Sequence, residues 1–334
     1  MLNTITLSDL VANKEIIWQK EQASLKDQIR DSGIYNVEDW EAGTGDTREY
    51  SEIDLEEYAT VKDESDDAQQ ARIQQGYSKT VSPVRFGKDV NISWELRRRG
   101  KYREITRRLT SLAKMTSNRL DLDGSHRITF GTATTYTDLD GRLINISTGD
   151  ALALFQTAHL LRGTSSTYRN RLATNPRLSE GSLEQMEQMK VENTMNQFGQ
   201  KMSLSFDVLW TTDDPNTMNT ARKILQSTAE IAGPHEGVIN VNRGKYRHVV
   251  LPRVATLANG NPDTTKRYYW GLASSMNSDG YMVIEEEPNM TNPSVGSNAE
   301  EFSTEDWFFK GRGSWAFCWV GGRSIGFSSG DGTA

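Results

Sequence analysis

Apolar positions along the chain change period several times, and each change marks an element. Val11, Trp18, Leu25 and Ile29 recur at near-helical spacing and Gly33 closes the run, so residues 8–32 predict an amphipathic helix. Ser8 is its candidate N-cap, and Leu7 is placed to staple onto the first turn. That helix has no obvious neighbour in sequence; it packs on its own domain or reaches another subunit. From Tyr50 to Val61 the pattern suits a strand around Ile53–Thr60. Lys62-Asp63-Glu64-Ser65-Asp66-Asp67-Ala68-Gln69-Gln70 follows, acidic and without large apolar groups, and reads as an exposed loop tip. Val84, Phe86, Val90, Ile92, Trp94 and Leu96 then alternate with polar residues, broken only at Lys88, which predicts a strand with one buried face. Two strands flanking a polar tip predict a long hairpin. A lone hairpin is marginal in water, so it is expected to lie against something, here a neighbouring subunit.

The period then lengthens. Ile105, Leu109, Leu112 and Thr116 fall at helical spacing between Arg98 and Leu120, and no Pro or Gly interrupts Lys101–Arg119. This predicts a long amphipathic helix, with Asp123-Gly124 as the turn after it. Ile128–Ala133 looks like a strand, and Asp140-Gly141 reads as a hairpin turn with Leu143–Ile146 as its return. Asp150 is placed to cap a short helix holding Leu152, Leu154, Phe155, His159 and Leu160. A helix starts at Ser179 or Ser182 and runs to Phe198, with Gly199 at its end. After a strand at Leu204–Trp210, Asp214-Pro215 is an N-cap and N1 pair for a helix carrying Met218, Ala221, Leu225 and Thr228 and stopping at Gly233-Pro234. Short strands are expected at 238–241, 249–251, 268–272 and 281–285, with turns at Asn259-Gly260 and Asp279-Gly280. In the aromatic stretch Trp307–Phe327, Trp315, Phe317 and Trp319 alternate with Ala316, Cys318 and Val320. A strand apolar on both faces belongs inside a sheet covered on both sides. The Gly/Ser tail after Ile325 reads as a loose end. There is no internal repeat, and the class is α+β, with strands and helices intermixed and no regular βαβ series.

Composition narrows the function. The 334 residues suit about two domains. A net charge of −7 gives no overall basic excess for gripping a duplex, so any nucleic-acid contact is weak or confined to a local patch. One cysteine, Cys318, excludes a disulfide within the chain and a cysteine-based zinc site, and its apolar surroundings read as core. Met1–Lys20 lacks the charged and apolar regions of a signal peptide, and no stretch approaches the length of a membrane span.

Candidate chemistry is sparse. His126, His159, His235 and His248 form no metal-ligand spacing. The acid groups Asp66-Asp67, Asp213-Asp214 and Glu285-Glu286-Glu287 show nothing that would split their pKa values for acid–base work. Gly311-Arg312-Gly313-Ser314 lacks phosphate-loop spacing and reads as a turn or bulge between two aromatic strands. No catalytic, cofactor-binding or metal residue is assigned, and the chain is expected not to be an enzyme. The charge cluster Arg97, Arg98, Arg99, Lys101, Arg103, Arg107 and Arg108 puts positions 99, 103 and 107 on one helix face. It is either a solvated face or a partner for acid, such as the tip of another subunit or packaged DNA.

The order of elements, together with Ser82-Pro83-Val84-Arg85-Phe86-Gly87-Lys88-Asp89-Val90-Asn91-Ile92-Ser93-Trp94-Glu95, Leu154-Phe155-Gln156-Thr157-Ala158-His159 and Asn175-Pro176-Arg177-Leu178-Ser179, resembles the Hong Kong 97 fold of tailed-phage major capsid proteins. Asp207-Val208-Leu209-Trp210, the helix ending Ile224-Leu225-Gln226-Ser227 and Tyr268-Tyr269-Trp270-Gly271-Leu272 fit the same pattern, so the resemblance covers about 45–330. It implies an N-terminal arm over 1–48, an E-loop hairpin over 49–92, a P-domain with a spine helix over 93–150, an A-domain over 151–300, and P-domain return strands with a tail over 301–334. It further implies a structural subunit that assembles into hexamers and pentamers of an icosahedral shell around double-stranded DNA. The implied partners are copies of itself, portal and scaffolding proteins, a decoration protein, and DNA by weak non-specific contact, with no membrane. Assembly would take place in the cytoplasm of a bacterial host and the product would be a virion. The alternative is an encapsulin-like nanocompartment shell of the same fold. Candidate inter-subunit contacts are Lys62, Asp63, Asp66, Asp67, Lys79, Arg97, Arg99, Arg103 and Arg107. Lys62 and Lys79 flank the tip, but nothing in the sequence marks them for cross-linking.

Overall fold

Strand-forming segments rich in β-branched and aromatic residues alternate irregularly with helices, and the computed structural model describes them over residues 7–24, 29–41, 45–55, 58–64, 67–228, 239–292 and 305–332. In chain order they are α1 (Leu7–Ser24), β1 (Asn36–Asp39), β2 (Arg48–Leu55), β3 (Ile73–Val81), β4 (Val84–Ile92), α2 (Trp94–Arg98), α3 (Tyr102–Thr129), β5 (Thr135–Thr137), β6 (Leu143–Asn145), β7 (His159–Leu160), β8 (Thr167–Tyr168), α4 (Glu180–Asn193), β9 (Val208–Thr211), α5 (Pro215–Gln226), β10 (Arg247–Val250), β11 (Trp270–Ala273), β12 (Gly280–Thr291) and β13 (Trp307–Trp319). The class is α+β. The main sheet has the order β1-β12-β13-β4, antiparallel except for the β1–β12 pair. A second sheet has the order β10-β9-β11, and β2–β3, β5–β6 and β7–β8 form separate pairs.

Strand β13 is covered on both faces, as its composition requires. Trp315, Phe317 and Trp319 join Ile34, Tyr35, Ile128 and Met282 in one core, while Ala316, Cys318 and Val320 meet Tyr50, Val81 and Val283 on the other side. The indole N–H groups are partnered: Trp315 donates to Asp123 Oδ2 at 3.1 Å and Trp319 to the Tyr35 hydroxyl at 3.2 Å.

Helix α3 is longer than its apolar period indicated. Asp123-Gly124 is not a turn. A Cβ on Gly124 would lie 2.8 Å from Ile29 Cγ2 and 2.9 Å from the Phe317 ring, so the glycine lets the helix approach the sheet. Asp123 is held within the helix by Arg119 Nε at 2.9 Å. The apolar residue Ile128 then belongs to the helix's buried face, not to a strand. At the other end, Gly100 with φ +63° separates α2 from α3, so Trp94 and Leu96 are helical and not the end of β4.

Helix α1 packs on α3 of its own chain. Lys114 Nζ pairs with Glu21 at 2.9 Å, Ser117 donates to Gln22 Oε1 at 3.0 Å, and the buried Lys14 ammonium donates to the Met290 carbonyl at 3.0 Å. Leu10 is its buried apolar residue, Ile17 and Trp18 lean on the same cluster, and Ser8 lies inside the first turn. Leu25 lies outside the described residues.

A second core gathers Leu183, Met186 and Met189 of α4 and Ala221, Ile224 and Leu225 of α5 around Leu209, Trp270 and Leu272. Ser179 caps α4 in a reciprocal box with Ser182. Asp214 caps α5 by accepting from the Asn216 and Thr217 N–H groups at 3.1 Å, with Pro215 at N1. Helix α4 ends at Asn193 and not at Phe198; a tight turn closed by the Met195–Lys201 bridge follows, with Gly199 at φ +77°. The expected helix after Asp150 is absent. Asp150 instead accepts from His159 Nδ1 at 2.8 Å and from the Thr148 hydroxyl, and Ala151 sits at φ +62°. The stop at Gly233-Pro234, His235 and part of the 238–241 strand lie outside the described residues.

The C-terminal tail is not loose. Phe327 is fully buried and stacks on Phe155 at 4.3 Å, and Ser328 exchanges backbone hydrogen bonds with Trp270 at 2.9 and 3.1 Å. A Cβ on Gly271 would lie 1.9 Å from the Gly326 carbonyl, and one on Gly326 2.7 Å from Met186 Sδ, so the tail glycine that suggested looseness permits close packing.

Candidate assembly interface

The hairpin exists, but its pairing differs from the expected one. Strand β2 pairs antiparallel with β3, from Arg48↔Val81 to Leu55↔Ile73, with a register shift between Ser51 and Ile53. The segment expected as the return, 84–92, is β4, and it closes the main sheet by pairing with β13 from Trp307↔Ile92 to Trp315↔Val84. Ser82-Pro83 divides the two, since proline cannot donate to a ladder. The alternation of β4 reflects cover on one face by the body of the same chain.

The hairpin changes character along its length. At its base Tyr50 stacks on Tyr281 at 4.1 Å and donates to Glu38 Oε2 at 2.8 Å, and Val81 enters the core. Midway, Glu52 and Asp54 meet Arg323: Nη2 lies 3.3 Å from Glu52 Oε1, and Nη1 lies 2.8 Å from Asp54 Oδ2. Gln197 donates through Nε2 to Glu52 at 2.7 Å and through its backbone N–H to Asp54 at 2.8 Å. Arg162 donates to the Gly76 carbonyl at 2.9 Å. Burial pushes the Glu52 carboxyl up from 4.5 to about 7 against the pull of Arg323. Ile53, between the two carboxylates, is exposed at 64%, and beyond them Leu55, Tyr58 and Ile73 are exposed at 56%, 66% and 67%, and Val61 at 94%. Leu55 and Ile73 are register partners, so their exposed side chains are cross-strand neighbours.

The sequence-selected contact residues fall into three places. Lys62, Asp63 and Asp67 are exposed on the tip; Asp66 lies outside the described residues. Lys79 is not at the tip. It lies opposite Tyr50, and its ammonium donates to Ser147 Oγ at 3.0 Å and Asn145 Oδ1 at 3.5 Å, with burial lowering its pKa. The arginines do not share one face. Arg97 lies over the Trp307 ring at 3.8 Å and donates to the Glu305 carbonyl. Arg99 caps α2 outside α3. Arg103 and Arg107, one turn apart on α3, are exposed and unpaired among the described residues.

The other candidate chemistry is accounted for by structure. His126 Nε2 lies 3.0 Å from Thr256 Oγ1, and burial lowers its pKa to about 4. His248 Nε2 lies 2.9 Å from Thr211 Oγ1. Burial pushes the Cys318 thiol up to about 12, far from a reactive thiolate. Glu285 accepts from Ser314, Glu286 pairs with Arg312 at 2.6 Å, and Glu287 pairs with Arg30 at 2.8 Å. Gly311-Arg312-Gly313-Ser314 is neither turn nor bulge; it lies within β13, and the register shifts occur in β12 opposite. A Cβ at Gly311 would meet Thr116 Oγ1 at 2.7 Å, so this glycine admits α3. Among the described residues, no group of three or more His, Cys, Asp or Glu is arranged to hold a metal. No described helix is long and apolar enough to cross a membrane.

Sequence reasoning missed Glu52, Asp54, Gln197 and Arg323. No local pattern marks them, because the ion pair joins residues 269 apart in the chain. No family model and no curated protein matches the chain. Among solved structures it is similar to the capsid of Myoviridae phage XM1, at 15% identity over 90% of each chain with a TM-score of 0.48. It is also similar to the capsid of cyanophage P-SCSP1u, at 10% identity over 90% of this chain and 87% of the other with a TM-score of 0.49. A third likeness is to a virus-like particle from Pyrococcus furiosus, at 10% identity over 96% and 98% with a TM-score of 0.45.

Proposed function

We propose that this chain is a structural shell subunit of the Hong Kong 97 type, the major capsid protein of a tailed phage, and not an enzyme. The observation that carries the reading is the distal half of the β2–β3 hairpin. It presents Ile53, Leu55 and Ile73 of a two-stranded ribbon, and Tyr58 and Val61 of the segment beyond β2, to water. Such a ribbon gains stability when a second copy covers it, and closed symmetry then covers every copy alike. A permanent contact of this kind buries well over ~1,000 Å². In this reading the copies form hexamers and pentamers around double-stranded DNA, assembled in the host cytoplasm with portal and scaffolding proteins and ending in the virion. Arg103 and Arg107 are the exposed cations placed to meet an acidic tip or a phosphate backbone.

The test is light scattering with negative-stain microscopy on the purified chain, alone and expressed with its neighbouring genes. Shells or ring-shaped capsomers are the expected result. A monodisperse monomer under every condition would overturn the reading. Portal and terminase genes alongside would assign the contents as a genome; a cargo-enzyme gene would assign a nanocompartment.

A further inference from the structure

The hairpin is fastened to its own body through a buried charge cluster with more acid than base. Side chains of Arg323, Glu52 and Asp54 are only 7%, 8% and 10% exposed. The groups around Glu52 come from every neighbouring element. Asp54 lies on the same strand, and Arg323 comes from the segment after β13. Asp279 precedes β12 and accepts from the Ser324 N–H at 3.1 Å. Tyr168 comes from β8 and donates nothing to the carboxylates; its hydroxyl accepts from the Gly322 N–H at 3.1 Å. Tyr281 of β12 and the amide of Gln197 complete the ring. Behind Arg323, the buried Lys190 ammonium donates to the carbonyls of Arg323 and Ile325.

With every group ionised, three carboxylates face the guanidinium of Arg323 and the ammonium of Lys190, leaving one uncompensated negative charge in a nearly dry site. Such a charge is costly, and a buried carboxyl relieves the cost by keeping its proton. Glu52 is the group placed to do so. Its neighbours Gly76 and Gly321 have no room for a side chain: Cβ atoms there would lie 2.8 and 2.2 Å from Glu52 atoms. The carboxyl is thus enclosed, while the side chains of Leu55 and Ile73 beyond it are exposed.

We propose that this cluster is a proton-dependent latch that fastens the β2–β3 hairpin to the 320–325 segment of the same chain, closed while Glu52 holds a proton and loosened when it gives the proton up. The sign follows from linkage. Glu52 titrates near 7 when docked and at 4.5 when free, so docking is strongest below 4.5 and weakens as pH rises through 7. Between pH 6 and 8.5 the docking equilibrium falls about tenfold. An undocked two-stranded hairpin does not protect its amides.

The test is amide hydrogen exchange on the full chain at pH 6 and 8.5, corrected for the intrinsic pH dependence of exchange. Peptides covering 48–55 and 73–81 report the latch, and 307–319 serves as an internal reference. Wild type is expected to lose about tenfold protection in the hairpin and none in the reference. Glu52→Gln, which mimics the protonated acid, is expected to be flat. Asp54→Asn removes one of the neighbouring carboxylates that raise the Glu52 pKa, so it is expected to lose less protection than wild type and serves if Glu52→Gln fails to fold. Equal protection of the wild-type hairpin at both pH values would overturn the proposal. So would an unchanged tenfold loss in either variant.

Discussion

Strand β13 and the β2–β3 hairpin are both built from alternating residues, yet one is buried on both faces and the other is half in water. In β13 the two alternating sets, Trp315/Phe317/Trp319 and Ala316/Cys318/Val320, each enter a core. In the hairpin only Tyr50 and Val81 do so, and farther out Ile53, Leu55 and Ile73 stay mostly exposed. The difference shows that an apolar position marks a surface to be covered, not who covers it. For β13 the cover is intramolecular and supplies stability; for the outer hairpin, in the proposed reading, it comes from a second copy and supplies assembly.

The largest expected effect is on the buried strand. Trp315→Ala removes a fully buried indole and leaves Asp123 Oδ2 without its indole donor, and is expected to cost about 3–5 kcal/mol. A thermal melt lowered by less than the equivalent of ~1 kcal/mol would show that β13 is not the central support described. Next comes pH, which acts on the two regions in opposite directions. His126 is neutral in the folded body with a pKa near 4 against 6.5 when unfolded, so stability present above 6.5 is lost as pH falls toward 4. Between pH 7.5 and 5 this amounts to roughly 2 kcal/mol, and His126→Gln is expected to lose that much less in paired melts. The hairpin latch tightens over the same acid range, so a body and hairpin that respond together would contradict the contrast. Gly124→Val drives a methyl group into Ile29 and Phe317 and is expected to cost about 1–3 kcal/mol by melting. Smallest is Val61→Ser, expected to change the melt of the unassembled chain by under ~0.5 kcal/mol while reducing shell yield by microscopy. Unchanged yield would place the interface elsewhere. Deleting 50–92 is not a clean probe of the hairpin, because it removes β4 from the main sheet; replacing 56–72 by Asn-Gly spares it.

Much of the fold was legible in local pattern. The two-faced aromatic strand, the Asp140-Gly141 hairpin, the caps at Ser179 and Asp214 and the long helix all follow from side-chain period and capping chemistry. The errors cluster where glycine was read as a break. Gly124, Gly311 and the tail after Ile325 were expected to end or loosen structure, and each instead permits close packing. A glycine's meaning depends on what approaches it, which no window of neighbouring residues contains. The strand partner of the hairpin failed for the same reason: alternation states that one face is buried but not against which element.

Of the candidate site, the exposed acidic tip was readable because a charged stretch without apolar groups has nothing to bury. By itself, then, the sequence determined the class of the protein, most of its elements and the absence of recognisable catalytic motifs, since these depend on period, composition and spacing within a few residues. Only the tertiary structure decided that 73–81 returns the hairpin, that Arg99 leaves the face of Arg103 and Arg107, and that Glu52 and Asp54 share Arg323. Those outcomes rest on contacts between distant residues, where burial and charge are set by the assembled surroundings and not by the chain nearby.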